Sequence, residues 1–307
     1  MRRPSAFRIT VPGSTSNLGP GFDSIGLALN RFLILDAKES NQWRFRYLNQ
    51  SNFRPSLDEN LIYVTAKSLA EAHHADLPAY SVDVTSNIPF ARGLGSSGAA
   101  IIAGIELADY LLDLGLSIDE KAWIACKSER HPDNVTASLY GGLVISTQSG
   151  NGVHSVKLPV PAFDFVALIP SFELKTSEAR DVLPETLPFR EAVEGSSIAN
   201  VLICALMNQN GRLAGQMMEK DRFHQPYRAP LIPDLAKISS VAHEAGAYGT
   251  FLSGAGPTVL SLAPKKASET VRSCLETAFP DDQCVVLRPV ESGSAVEELN
   301  TQGKSRD

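Results

Sequence analysis

The chain has 307 residues, enough for about two domains with a sizeable core, and 43% of them are hydrophobic and 20% charged. A net charge of -6 without any dense Lys/Arg run excludes the electrostatic footprint of a nucleic-acid binder. Neither a signal peptide nor a membrane span is supported: "MRRPSAFRITVPG" has no apolar stretch behind its arginines, and Glu106, Asp109 and Asp113 break "AAIIAGIELADYLLDLGL". The expectation is a cytoplasmic protein with no nucleic-acid or membrane partner.

Between Ala6 and about Leu48 the sequence alternates and is rich in β-branched and aromatic residues, with the turn cluster "PGSTSNLGPG" interrupting it. Helical periodicity follows over about Asn60 to Ala75, then a strand over Ser81 to Ser86. A glycine-rich loop leads into "SSGAAIIAGIELADYLLDL", whose small and apolar residues suit a tightly packed helix, and "SIDEKAWIACKSE" predicts a second helix behind the cap residue Ser117. "GGLVIST" and "HSVKLPV" read as strands, and "PVPAFD" marks a junction near residue 160. Beyond it come a strand ("FVALIP"), helices over about Glu191 to Asn208 and Leu213 to Glu219, and a helix from Ile232 to Ala245. Strands "YGTFL" and "TVLSLA" then flank the turn "SGAGP", before a helix from Ala267 to Ala278 and a last strand, "QCVVLRPV". With the extra helices set aside, βαββαβ is the order of a ferredoxin-like sandwich. The expected organisation is an α+β chain with domains at 1–160 and 161–292 and a polar tail at 293–307. "ESGSAVEELNTQGKSRD" is so poor in core-forming residues that fraying is expected there.

Cys126, Cys204, Cys274 and Cys284 lie far apart, without C-x-x-C spacing or nearby histidines, which predicts buried free thiols rather than a zinc site. His73-His74 and His243-Glu244 lack the further ligand a zinc helix needs.

"PFARGLGSSGAA", Pro89 to Ala100, carries the sharpest chemical signal. Gly93, Gly95 and Gly98 satisfy G-x-G-x-x-G, but a dinucleotide turn needs a second strand ending in an acidic residue about twenty residues on. Here one helix leads into another, and Asp119 and Glu120 fall at its start. A Walker A loop is excluded too, because Glu298 stands where the first glycine would precede Gly303-Lys304-Ser305. What remains is a loop whose glycines let backbone N–H groups approach a phosphate, ahead of a helix whose dipole points at that charge. Glycines that only permit close helix packing are the other reading of this segment alone.

This loop, "VPGSTSNLGPGFDSIGLAL" near the N-terminus and "LSGAGPTVLSL" near the C-terminus together resemble the three motifs of the GHMP small-molecule kinases. The resemblance runs from about Ile9 to Val285. Within that superfamily the N-terminal motif is similar to the homoserine kinase branch, as are "ERHPDNV" and "KTSEARDVLP". The resemblance implies a two-domain fold, with an N-terminal domain like ribosomal protein S5 domain 2 and a ferredoxin-like C-terminal one. It implies an ATP- and Mg²⁺-dependent transfer of phosphate to the side-chain hydroxyl of L-homoserine, in threonine biosynthesis, by a homodimer.

Carried over residue by residue, the resemblance gives ATP to Pro89, Arg92, Gly93, Leu94, Gly95, Ser96 and Ser97, with Asn60, and puts Mg²⁺ between Ser97 and Glu129. It assigns the acceptor's ammonium to Asp23 and its carboxylate to Arg180 and Arg228; a carboxylate and two-point guanidinium groups are what a zwitterion's ends require. Thr176 lies four residues before Arg180 and would share its helix face. Asn17 and His131 are implied as further substrate contacts, although Asn17 reads equally as a turn-former and His131 as a structural hydrogen-bonder. Where mevalonate kinases carry an aspartate usually taken as the base, this chain has Asn134. An amide accepts no proton at neutral pH, so the expectation is direct transfer, with Asn134 orienting the hydroxyl. The chain departs from the family's usual residues at Gly98, at Thr136-Ala137-Ser138 and at Arg130, a bulky cation beside the expected metal carboxylate. A different GHMP kinase and a non-catalytic ligand sensor on the same scaffold are the alternatives.

Overall fold

A computed structural model of the protein describes residues 5–49, 53–150 and 152–299. The chain runs through β1 (Ala6–Asn17), β2 (Gly21–Glu39), β3 (Arg44–Tyr47), α1 (Leu61–Ala72), β4 (Tyr80–Ser86), α2 (Ser96–Leu112), α3 (Ile118–Glu129), α4 (Asp133–Tyr140), β5 (Leu143–Ser149) and β6 (Gly152–Leu158). It continues through β7 (Asp164–Ile169), α5 (Thr176–Asp181), α6 (Phe189–Met207), α7 (Gly211–Met218), α8 (Gln225–Arg228), α9 (Leu235–Glu244), β8 (Gly249–Leu252), β9 (Val259–Ala263), α10 (Ser268–Ala278), β10 (Gln283–Leu287) and β11 (Ala295–Glu298).

Strand β2 is the spine of the first sheet. Its 19 residues pair with β5 at Ile25 to Leu27 and with β4 at Leu33 to Glu39, while β1 runs antiparallel along most of its length. The order is β11-β1-β2-β4-β3, with β5 beside β2 and β6 beside β5. Helices α2 and α4 pack on β1 and β2. Helix α3 begins at the cap foreseen at Ser117, here a full capping box: Glu120 N–H donates to the serine Oγ (3.3 Å), and the Ser117 N–H donates back to Glu120 Oε2 (2.8 Å). Such a cap stabilises a helix by about 1 kcal/mol.

The second sheet has the order β10-β7-β9-β8, every pair antiparallel, which is the ferredoxin-like arrangement expected from βαββαβ. Strand β7 is buried on both faces. Phe165, Ala167 and Ile169 join a core shared with Leu202 and Leu206 of α6, whereas Val166 and Leu168 face Ile238 of α9 and Val271 and Leu275 of α10. That is why "FVALI" is uniformly apolar rather than alternating.

Four expectations need correction. "PGSTSN" is not a turn: β1 continues to Asn17, with register shifts at Pro12/Gly13 and Ser16/Asn17, and only Leu18 to Pro20 turn. Bulges let the strand absorb residues that read as turn formers. Helix α4 was not foreseen, because its buried Thr136 and Ser138 hide the apolar periodicity; their hydroxyls bond Pro132 O and Ser14 Oγ instead. The tail does not fray at 295–298, where β11 pairs antiparallel with β1 from Phe7↔Glu298 to Thr10↔Ala295. Ser294 adds a hydroxyl bond (2.7 Å) to Oε1 of the buried Glu106, whose Oε2 meets Lys121 (2.8 Å), so polar pairing fastens a segment with little apolar surface. The remainder of the expected tail, 300–307, and residues 1–4 lie outside the described residues. Of the four thiols, Cys126 and Cys284 are buried as expected, but Cys204 and Cys274 are exposed on helical outer faces. Among the described residues no helix is long and apolar enough to cross a membrane.

Candidate active site

A cleft of about 310 Å³ opens between the two sheets' loops, where β1, the start of β2, the 91–98 loop, the α3–α4 junction, α5, α8 and the Gly254–Gly256 turn converge. One wall is made of backbone. Ala91, Gly93 and Gly95 all have positive φ (48°, 76° and 73°), a conformation that suits glycine and folds a chain into an anion-binding concavity. At Gly93 a side chain would run into the Ser253 carbonyl, so the same glycines also satisfy the packing reading. The carbonyls are turned inward: Ser253 Oγ donates to Gly93 O (2.6 Å) and Ser14 N–H to Leu94 O (3.3 Å). Gly95 is the N-cap of α2 and provides no side-chain acceptor, which leaves the first turn, Ser96 to Gly98, facing the cleft with its positive dipole end. No strand follows α2 to complete a dinucleotide βαβ unit; α3 does.

Ser97 Oγ donates to Glu129 Oε2 at 3.0 Å, bringing a hydroxyl and a carboxylate oxygen together across α2 and α3. Arg130, next along, is exposed in a left-handed conformation and is not among the residues lining the cleft. The side chains of Pro89, Arg92 and Leu94, expected in the ATP site, are not among those lining the cleft. Arg92 reaches across to the carbonyls of Pro170 (3.0 Å) and Ser171 (2.8 Å) and pairs with Glu173 (3.2 Å), and Leu94 is buried core. Left-handed residues at 91, 93 and 95 send the Arg92 and Leu94 side chains away from the cleft. Asn60 lies in a neighbouring apolar slot of about 220 Å³ with Tyr47, Phe53, Ile88, Phe90 and Ala100, which shares Ser96 and Ser97 with the cleft. Its Oδ1 caps α1 through Ile62 N–H (3.1 Å), and its buried Nδ2 makes no full hydrogen bond among the described residues, although the side chain interacts with the Tyr47 phenol in the same slot.

The opposite wall is made of side chains. Asp23 and Arg180 meet in a two-point ion pair (2.7 and 3.3 Å), so the groups expected to hold opposite ends of a zwitterion hold each other here. Arg228 is 2% exposed, and its pKa is pushed down to about 10 by burial and by Arg180, which still leaves it charged at neutral pH. Thr176 begins α5 and Arg180 lies one turn on; both line the cleft, as the spacing required. Asn17 is a turn-former as well as a wall residue: its Oδ1 accepts from Asp23 N–H and its Nδ2 donates to Gly254 O, both at 3.0 Å.

The floor is the α3–α4 junction. His131 Nδ1 lies 2.8 Å from Asp133 Oδ1, which also accepts the Asn134 N–H (2.7 Å). Burial works against a charge on either, but their mutual pairing prevails, holding the Asp133 carboxyl below its ordinary range and His131 above its own. The Asn134 amide is fixed at both ends, with Ser14 Oγ donating to Oδ1 (3.0 Å) and Nδ2 donating to Ser16 Oγ (2.9 Å). Asp23, His131 and Asp133 offer ligand atoms within 4.8 Å of one another. Asp133, Ser16, Phe22 and Lys175 also line the cleft and were missed from the sequence; Asp133 and Phe22 stand inside the quoted motifs "HPDN" and "GFD", the one signal that pointed at them.

A family model described as GHMP kinases N terminal domain matches residues 60–142, and one described as GHMP kinases C terminal matches residues 202–281. Over 95% of its length the chain is 48% identical to a homoserine kinase of Bacillus velezensis, covering 94% of that relative. The chain belongs to the GHMP kinase family. This GHMP kinase is also 49% identical to a homoserine kinase of Bacillus pumilus, over 95% of this chain and 94% of the other. A solved homoserine kinase structure from Cytophaga hutchinsonii matches it with a TM-score of 0.84 at 25% identity, covering 96% of this chain and 98% of that one.

Proposed function

We propose that this GHMP kinase is a homoserine kinase, transferring the γ-phosphoryl group of ATP to the side-chain hydroxyl of L-homoserine to give O-phospho-L-homoserine and ADP, a step of threonine biosynthesis. The observation that carries it is one cleft with a phosphate-type cradle on one wall and a carboxylate–guanidinium clamp on the other, in a chain whose full-length relatives bear that name. An incoming zwitterion exchanges the Asp23–Arg180 pair for two pairs of its own, ammonium to Asp23 and carboxylate to Arg180 and Arg228. Thr176, Asn17 and His131 complete the acceptor's surroundings.

The cradle of Gly93 to Ser97 and the α2 dipole suit phosphates, and the apolar slot with the Asn60 amide and the Tyr47 phenol in its lining suits a nucleobase. Ser97 and Glu129 are hard oxygen donors in contact, which fits Mg²⁺, and they would hold it. The ion supplies charge neutralisation for the phosphates. In the transfer the hydroxyl oxygen bonds to the γ-phosphorus as the bridging P–O bond to ADP breaks, and the hydroxyl proton leaves late, to the transferred phosphate. Asn134, locked between Ser14 and Ser16, orients that hydroxyl; Asp133, held below the usual carboxylate range, is a weak proton acceptor beside it. The reading includes a cytoplasmic homodimer, the commonest closed assembly.

The test is ADP release from Mg-ATP by purified protein with L-homoserine, L-threonine, mevalonate, shikimate or galactose. Turnover with homoserine alone is the expected result. Turnover with another alcohol only would keep the phosphate wall and sink the clamp, and ATP binding without turnover would favour a ligand sensor.

A further inference from the structure

His224 does not line the cleft, but it lies directly behind two residues that do, Arg228 and Phe22. The residue is fully buried, at the entry to α8, and its backbone is fixed by the buried Asp221: Oδ1 accepts from Phe223 N–H (2.7 Å), and Oδ2 from His224 N–H (3.0 Å) and Gln225 N–H (2.6 Å). The imidazole Nε2 lies 2.9 Å from Gly19 O, which can only accept, so Nε2 carries the proton. Its Nδ1 lies 3.1 Å from Nη1 of Arg228, which can only donate, so Nδ1 presents a lone pair. Two neighbours therefore fix one tautomer.

Arg228 has five N–H donors. Nε donates to Ala179 O (2.9 Å), and Nη1 divides its two between His224 Nδ1 and Gly254 O (3.0 Å). Among the described residues nothing in the protein accepts from Nη2. Arg228 lines the cleft, where an anion can complete the guanidinium with a charge-assisted bond. Phe22 supplies the surface beneath: its ring stacks on the imidazole (5.2 Å, 21°) and has the guanidinium of Arg228 at 5.3 Å and that of Arg180 at 5.7 Å.

We propose that His224, supported by Phe22, is a positioning residue for acceptor selection: its neutral imidazole holds Arg228 by one nitrogen so that the opposite edge of the guanidinium is presented to the acceptor's carboxylate. The inference rests on the homoserine reading of the same site and extends it to a residue behind the cleft's lining. Two-point recognition of a planar carboxylate demands a fixed guanidinium plane, so freeing Nη1 weakens carboxylate binding without touching the phosphate wall.

The test compares L-homoserine with 3-aminopropan-1-ol, the same molecule without its carboxylate, in the wild type and in His224→Leu, His224→Asn and Phe22→Leu, with thermal protection by Mg-ATP as the check on folding. In His224→Leu, kcat/KM for homoserine is expected to fall about 10- to 100-fold through KM, the range for a hydrogen bond to a charged group. The value for 3-aminopropan-1-ol and the KM for ATP should stay within about twofold, and His224→Asn, which keeps an acceptor near the Nδ1 position, should recover part of the loss. Phe22→Leu should show the same acceptor-selective loss and serves if His224→Leu does not fold. Equal losses for both acceptors, or none, would overturn the positioning role. A wild type that phosphorylates neither, or does not distinguish them, would overturn the homoserine reading itself and this inference with it.

Discussion

The two walls of the cleft are built from different material. The phosphate wall is backbone: left-handed glycines, inward carbonyls and a helix start, all within Ala91 to Gly98. The acceptor wall is side chains drawn from β2, α5 and α8, with Asp23 and Arg180 separated by 157 residues of sequence. A backbone site is local and tolerates no added atoms; a side-chain site is assembled by the tertiary fold and can be weakened one partner at a time.

The sharpest way to break that contrast is Gly95→Val, which places a β-branched residue at φ 73° against Ser14. It should cost about 4 kcal/mol in urea denaturation and abolish ATP protection, because strain and backbone collision add. Glu129→Gln keeps the shape of the phosphate wall but removes its charge; kcat should fall about 10²- to 10³-fold in steady-state assays, with homoserine KM little changed. On the other wall, Arg180→Met should raise homoserine KM about 10- to 100-fold and leave ATP KM alone, since Arg228 and Thr176 remain. If Arg180→Met weakened ATP equally, the walls would not be separable.

Much of the phosphate wall was legible, because glycine spacing and a helix start are written in adjacent letters. The Arg92 bonds to Pro170 O and Ser171 O were not legible for the same reason: adjacency does not say which way a left-handed loop sends a side chain. The clamp residues were reached through motif resemblance, and their mutual pairing and the platform under them were not, since Phe22, His224 and Arg228 meet only after β2 and α8 pack. Among the elements, α3 was readable from its cap, whereas α4 and β11 were not, their stability coming from hydroxyls and backbone pairing that leave no apolar pattern.

Smaller effects sharpen the comparison further. Burial holds the His224 pKa down to about 4, against an ordinary 6.5, so below pH 6.5 the unfolded chain takes up a proton that the folded one refuses. This group contributes no change above that pH and a loss of at most about 1.4 kcal/mol per unit as pH falls toward 4. Thermal melts of the wild type should slope more steeply there than those of His224→Asn. Ser294→Ala, far from both walls, should lower stability by about 1 kcal/mol and leave every kinetic constant unchanged.

That last contact lies just ahead of β11, which gives the molecule an order of assembly. On the ribosome the first sheet is spelled out early, but β1 keeps an open edge until residues 295–298 emerge. Glu106 waits equally long for the Ser294 hydroxyl, and Gly142 N–H for the carbonyl of Val290. The β1 edge is thus covered only once residues 295–298 are made, so a nascent chain cut off before them would carry both walls of the cleft on an unfinished frame.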